Sequence, residues 1–423
     1  MLFSYLTSLL LSLLPNQTIH FEGRLQLDRQ APLISAPNGT FVPNQYIVVL
    51  KNAVTPEGIE FKNHMQSLKG LISEKSSDLH SNKIIHVYKQ GLVGYSGYFD
   101  NVVLNSIRKS KEVDYIEKDQ IVSVADTQSG APWGLARISH RDPLNAITGD
   151  KYIYNPSAGQ GVTAYVVDTG IYIQHSDFEG RAFWGKTLVA GQPDNDGNGH
   201  GTHVAGIIAS KTFGVAKKAK LVAVKVFDDN KVGYISNVIA GIQYTVSDYT
   251  SRKIEALKMG LAPPKSVGNL SLSSSFSQAL NSAVSAAVSS GIVYTVAAGN
   301  SARNACDYSP ASEKSAITVG STDVTDVQSY FSNYGSCVDI MAPGRAVIST
   351  WIGSNAATKV LSGTSMASPH VAGIAAYIIS QNNNILSPSS VRRMIITSGT
   401  MNKLSNLGAQ TPNILAYNSP PSS

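Results

Sequence analysis

Five polar residues stand in small-residue settings where each could do chemistry. Ser365 lies in Ser362-Gly363-Thr364-Ser365-Met366-Ala367-Ser368-Pro369-His370-Val371-Ala372-Gly373, ahead of an apolar run over 374–379. That pattern predicts a helix with Ser365 in its first turn, where unpaired N–H groups and the positive dipole end favour a developing oxyanion. A plain N-cap serine fits the same residues. His200 and His203, in Asn198-Gly199-His200-Gly201-Thr202-His203-Val204-Ala205-Gly206, share one helical face. They suit a catalytic base, a metal pair or two structural imidazoles, but the His-Glu-x-x-His pattern with its general-base glutamate is absent. Asp168 follows the apolar run 163–167 and opens Asp168-Thr169-Gly170, at the strand end where open α/β sheets hold their sites. Alone it reads as a turn residue. Asn300 follows the run 292–297 through Ala298-Gly299, and offers either a neutral oxyanion donor or a Gly-Asn turn.

Taken together these residues narrow the choice. A serine hydroxyl is a poor nucleophile at neutral pH; an imidazole can take its proton, and a carboxylate on the far ring nitrogen fixes the useful tautomer. The order Asp168, His200, Ser365 is the subtilisin order, and Gly-x-Ser-x-Gly, the α/β-hydrolase elbow, is not present at Ser365.

Such groups need a rigid frame. Buried-looking strands over 163–167, 220–227, 267–272, 292–297 and 316–320 alternate with helical segments, which predicts an α/β fold with a doubly wound parallel sheet covered on both faces. Before it, 44–124 runs strand, helix, strand, strand, helix, strand, with Phe61, Met65 and Leu68 on one helix face and Val103, Leu104 and Ile107 on another. This is the order of a small α+β ferredoxin-like domain. The polar stretch 125–130 lacks periodicity and reads as an exposed connector.

The whole chain has 423 residues, 43% of them hydrophobic and 15% charged, with a net charge of +6. The basic residues are scattered without interleaved aromatics, which argues against nucleic-acid binding. No apolar run reaches membrane-spanning length. Residues 1–20 read as a signal peptide with its apolar centre at 2–14, and Asn16-Gln17-Thr18 and Asn38-Gly39-Thr40 are glycosylation sequons. Cys306 and Cys337 allow one disulfide or two thiols.

From about Ala131 to Asn418 the chain resembles the subtilisin-type serine peptidases of the proteinase K and cerevisin group. Besides the three motifs, the resemblance is carried by Ala131-Pro132-Trp133-Gly134-Leu135-Ala136-Arg137-Ile138, Tyr308-Ser309-Pro310-Ala311-Ser312 and Phe331-Ser332-Asn333-Tyr334-Gly335. It implies a self-processing zymogen with an inhibitor propeptide over 42–125, cut near Ala125, and a catalytic domain over 126–418. Asp168 would orient His200, His200 would be base and acid, Ser365 would attack, and Asn300 with the Ser365 N–H would bind the oxyanion. Gly233, Leu272, Ser273, Ser274, Ala297 and Ala298 would bind substrate, with the two alanines as an apolar floor. Ser273 and Ser274 stand where relatives carry glycine, which implies a narrower primary pocket. His203 would be structural, and Val204 replaces a cysteine common in relatives.

The resemblance further implies a Cys306–Cys337 bridge and a structural calcium ion on Asp339 with the carbonyls of Lys314 and Ala316. Catalysis would need no cofactor. The expected partners are peptide or protein substrates and the chain's own propeptide, for a monomeric secreted or vacuolar enzyme. A catalytically silent binding protein of the same fold is the alternative, and a metallohydrolase on His200 and His203 lacks a third ligand.

Overall fold

A computed structural model of the chain describes residues 30–35, 41–75, 82–120, 125–382 and 384–421. The expected signal peptide and both sequons lie outside the described residues. The chain divides between Ile121 and Val122 into two compact units.

In the first unit, β1 (Leu33–Ile34), β2 (Phe41–Leu50), α1 (Ile59–Lys75), β3 (Lys83–Tyr88), β4 (Gly94–Tyr98), α2 (Asn101–Arg108) and β5 (Val113–Gln120) build one sheet with two helices. The strand order is β1-β5-β2-β4-β3, antiparallel except where β1 lies parallel to β5. Phe61, Met65 and Leu68 of α1 and Val103, Leu104 and Ile107 of α2 share one core with Val48, Tyr95 and Ile116, because spacings of three and four residues make a single stripe. The Asp100 carboxylate starts α2 by accepting the N–H groups of Val102 and Val103 at 2.8 and 2.9 Å, which a helix cannot satisfy internally.

The second unit begins with β6 (Asp126–Ser129), α3 (Trp133–Ile138) and β7 (Lys151–Tyr154). It continues through β8 (Val162–Asp168), β9 (Ala182–Thr187), α4 (His200–Ala209), β10 (Lys220–Lys225), α5 (Ile235–Lys258), β11 (Lys265–Leu270), β12 (Ser274–Ser275), α6 (Gln278–Ser290) and β13 (Val293–Ala297). Then follow β14 (Tyr308–Ser309), β15 (Ile317–Thr322), β16 (Ile340–Pro343), β17 (Val347–Thr350), β18 (Thr358–Leu361), α7 (Thr364–Gln381), α8 (Pro388–Ser398), β19 (Thr400–Met401) and β20 (Ile414–Leu415).

Nine of these strands form one sheet in the order β19-β20-β16-β15-β13-β11-β8-β10-β9, parallel apart from the β19–β20 pair. Successive residues of a strand point to opposite faces. Ala164 and Val166 of β8 enter a core with Val204, Ile207, Val371 and Ile374 of α4 and α7. Tyr165 and Val167 enter a second core with Val238, Ile242, Leu280 and Val284 of α5 and α6. Both faces are therefore dry, and the strand reads as an unbroken apolar run.

One expectation needs correction. The stretch 125–130 is not wholly a connector, since β6 pairs antiparallel with β7 from Asp126 opposite Tyr154 to Ser129 opposite Lys151. Its partner supplies backbone bonds while three of its four side chains stay exposed, so no hydrophobic period marks it. Cys306 and Cys337 are joined by a disulfide. The bridge closes a loop with a sequence separation of 31, worth about 3.5–4 kcal/mol in the chain-entropy picture.

Candidate active site

Asp168 is the last residue of β8 and 1% exposed. Its Oδ1 accepts the Thr169 N–H at 2.7 Å and the Nδ1–H of His200 at 2.7 Å. An ionised carboxylate can only accept, so the contact fixes the neutral ring with its proton on Nδ1 and leaves Nε2 as a base.

His200 is the first residue of α4, which begins after Gly199 at φ 102. A side chain there would be strained and its Cβ would stand 2.6 Å from the Trp351 ring, so glycine is required. Three further groups, Asp196, Thr169 and Lys225, hold this helix start against the end of β8. The buried Asp196 carboxylate accepts Thr169 Oγ1–H and the N–H groups of Asn198 and Gly199 on one oxygen, and Thr202 N–H and hydroxyl on the other, at 2.6–3.1 Å. Thr169 Oγ1 accepts the Gly201 N–H at 2.9 Å. The fully buried Lys225 ammonium donates to Thr169 O at 2.9 Å and Asp229 Oδ1 at 2.8 Å. Thr169 sits next to Asp168 in sequence, but Asp196 and Lys225 could be recognised only by their burial.

Ser365 occupies the first turn of α7, whose interior contains Pro369. Proline has no N–H to give to the carbonyl four residues back, and that carbonyl belongs to Ser365. It accepts instead from Ser271 Oγ at 2.8 Å, while Ser365 Oγ donates to the Ser271 carbonyl at 3.2 Å. The proline thus frees the carbonyl that ties the helix start to the segment after β11. Ser365 Oγ makes this bond and none to His200 among the described residues; catalytic hydrogen bonds often tighten only when substrate is bound.

Asn300 Oδ1 accepts the Thr364 N–H and Thr364 hydroxyl, each at 2.8 Å. This fixes the amide, and among the described residues its Nδ2 has no acceptor. A Cβ placed on Gly363 would stand 3.4 Å from Asn300 Nδ2 and 3.5 Å from Ser365 N. The bare Cα of Gly363 therefore leaves open a space flanked by two N–H donors, as an oxyanion requires.

The expected substrate-binding residues divide. A Cβ on Gly299, beside Asn300, would lie 3.1 Å from Ser273 Oγ, so the exposed Ser273 hydroxyl faces that turn. Ser274 belongs to β12, and its hydroxyl donates to Ser275 O and to Ser309 O of β14 at 2.9 and 3.3 Å. Leu272 is half-buried and packs against the core that holds Tyr165 and Val167. Ala297 and Ala298 are 1% and 0% exposed; Ala297 ends β13 inside a sheet covered on both faces, and Ala298 packs with Ala305, Ala311 and Met341. Gly233 lies on a separate turn, where a Cβ would press on Phe227 at 2.4 Å.

Asp339 does not fit a calcium ion. Its Oδ2 accepts the Thr318 N–H at 2.9 Å and its Oδ1 is held by the Arg392 guanidinium. Calcium takes about six to eight oxygen ligands, and the one carboxylate in the expected set has both oxygens engaged, one of them by a cation.

His203 Nε2–H is shared between Val347 O and Lys359 O at 3.1 and 2.9 Å, so that nitrogen is not available to a metal. Burial lowers His203 to about 3 and His370 to about 4, against 6.5 for a free imidazole. Folded values below unfolded ones mean that the unfolded chain binds the extra protons. This contribution is complete above about pH 6.5 and is lost as the pH falls toward 4, by about 1.4 kcal/mol per pH unit for each ring. Unfolding at pH 5 should take up one proton per ring, measured as the slope of stability against pH, and His370→Asn should remove one of them. An unchanged stability between pH 7 and pH 5 would contradict the neutral assignment.

Known families agree with this geometry. The subtilase family matches residues 159–413 and the peptidase inhibitor I9 family residues 45–125. A subtilisin-like protease of Coccidioides posadasii is 45% identical over 413 residues, covering 92% of this chain and 83% of its own length. Cerevisin of Saccharomyces cerevisiae is 42% identical, covering 92% and 67%. The crystal structure of a cold-adapted subtilisin-like serine proteinase matches with a TM-score of 0.62 at 41% identity, over 69% of this chain and 99% of that one. With its doubly wound sheet, its Asp168–His200 contact and two family matches that together span both compact units, this chain belongs to the subtilase family, as a subtilisin-like serine protease with an I9-type inhibitor propeptide.

Proposed function

We propose that the protein is a secretory-pathway serine endopeptidase, made as a zymogen that cuts itself near Ala125, and that Asp168, His200 and Ser365 are its triad. The observation that carries this is the Nδ1–H of His200 held on Asp168 at 2.7 Å, which leaves Nε2 to take a proton. Ser365 Oγ attacks the peptide carbonyl as its proton passes to His200 Nε2. Asn300 Nδ2–H and the Ser365 N–H receive the oxyanion, and Asp168 stabilises the imidazolium. His200 then gives the proton to the leaving amine, and a water activated by the same nitrogen releases the acyl group. A disulfide accords with an oxidising compartment, secreted or vacuolar. Hydrolysis of internally quenched peptides by the mature protein, abolished by Asp168→Asn through the wrong ring tautomer, tests this; activity retained in Asp168→Asn would count against it.

The same reading gives a side-chain preference. The Ser273 hydroxyl beside Gly299 makes the pocket for the residue before the scissile bond narrower and more polar than a glycine would. Medium aliphatic residues should be favoured over large aromatic ones, by at most about 1–3 kcal/mol. The ratio of kcat/KM for Phe and Leu peptides should rise in Ser273→Gly, while an unchanged ratio refutes the narrowing.

A further inference from the structure

We propose that the Arg392 guanidinium is a built-in cation for Asp339, so that this chain braces the β15–β16 edge with its own side chain and takes no calcium there. The proposal rests on the family and on this geometry, and is independent of which residues carry out catalysis.

Asp339 immediately precedes β16 and is locked onto β15: its N–H donates to Thr318 O at 2.9 Å, and its Oδ2 accepts the Thr318 N–H at 2.9 Å. The Thr318 hydroxyl donates to Ala311 O at 2.8 Å, in the segment that leads from β14 to β15. Because β14 pairs with β12, the carboxylate braces from behind the stretch that borders Ser274 and Ser275.

The Asp339 side chain is 14% exposed, and its burial opposes ionisation. A carboxylate taken from water needs a cation close by. Arg392 supplies one from α8, with its own side chain 35% exposed, bound to Oδ1. A guanidinium is permanently charged and donates in fixed directions. A calcium ion approaching the same oxygen would meet a like charge already bound to it. Being covalently tethered, the arginine is present at every calcium concentration, where an ion's occupancy would follow its concentration.

The test is thermal unfolding of the full chain carrying Ser365→Ala, checked by intact mass to be uncut, in EDTA and in millimolar calcium chloride. Any shift that calcium causes should be the same with and without Asp339→Asn. Arg392→Gln should lower the midpoint in EDTA by about 2–4 °C, and calcium should restore it only while Asp339 is intact. A calcium shift that Asp339→Asn abolishes while Arg392 is present overturns the proposal. So does an Arg392→Gln loss that calcium leaves unrepaired. Should Arg392→Gln fail to fold, Arg392→Lys, a weaker and more mobile cation, takes its place under the same criteria.

Discussion

Ser365→Ala is expected to leave the chain uncut and to lower peptide hydrolysis by about 10⁶-fold, the scale of loss known for a subtilisin deprived of its nucleophile. On the proposed reading both effects come from one change, because one hydroxyl serves both reactions, the propeptide junction being the enzyme's own first substrate. The remaining apparatus would not compensate, since in the proposed mechanism Ser365 Oγ forms the acyl bond and the two donors around Gly363 only stabilise what that bond creates. Gel mobility and intact mass of the purified chain read the result. A Ser365→Ala chain that still cleaves itself near Ala125 with no other protease present would show that processing uses a different nucleophile.

Asn300→Ala should lower kcat by about 10²–10³, or about 2.7–4 kcal/mol, the cost known for removing one such donor from a subtilisin, with KM nearly unchanged. The reason lies in timing. Among the described residues Asn300 Nδ2 has no acceptor, so in the proposed mechanism its bond forms as negative charge develops on the carbonyl oxygen, in the transition state and not before. Gly363→Ala reaches the same site by obstruction, because its carbon would stand 3.4 Å from Asn300 Nδ2 and 3.5 Å from Ser365 N, within the space the oxyanion must enter. Steady-state kinetics separate these ideas from simple binding. A raised KM with unchanged kcat in Asn300→Ala would assign the amide to ground-state contact alone.

How much of this could be read from the residue string depends on what each contact buries. The central strands were legible because both their faces are dry, as Ala164 and Val166 on one side of β8 and Tyr165 and Val167 on the other illustrate. The propeptide helices were legible because Phe61, Met65 and Leu68 make one stripe. β6 was not, since it is held by backbone pairing and leaves its polar side chains outside. β1, of two residues, is too short to carry a period. At the site, Asp168, His200, Ser365 and Asn300 lie beside glycines and small residues that mark close backbone approach. Asp196 and Lys225 carry no such signature, and their part in holding the turn after Asp168 emerges only from the fold. Arg392 is 53 residues from Asp339, and no spacing rule joins them.

The central claim is that Ser365 is a nucleophile activated by a neutral His200. A fluorophosphonate probe reacts with a serine only when a neighbouring base accepts its proton and donors receive the developing charge. Incubation of the purified mature protein with such a probe, followed by digestion and mass mapping, should place one adduct on Ser365 and none in a protein carrying His200→Ala. An unlabelled Ser365 in folded, mature protein, or an adduct on any other serine, would contradict the account.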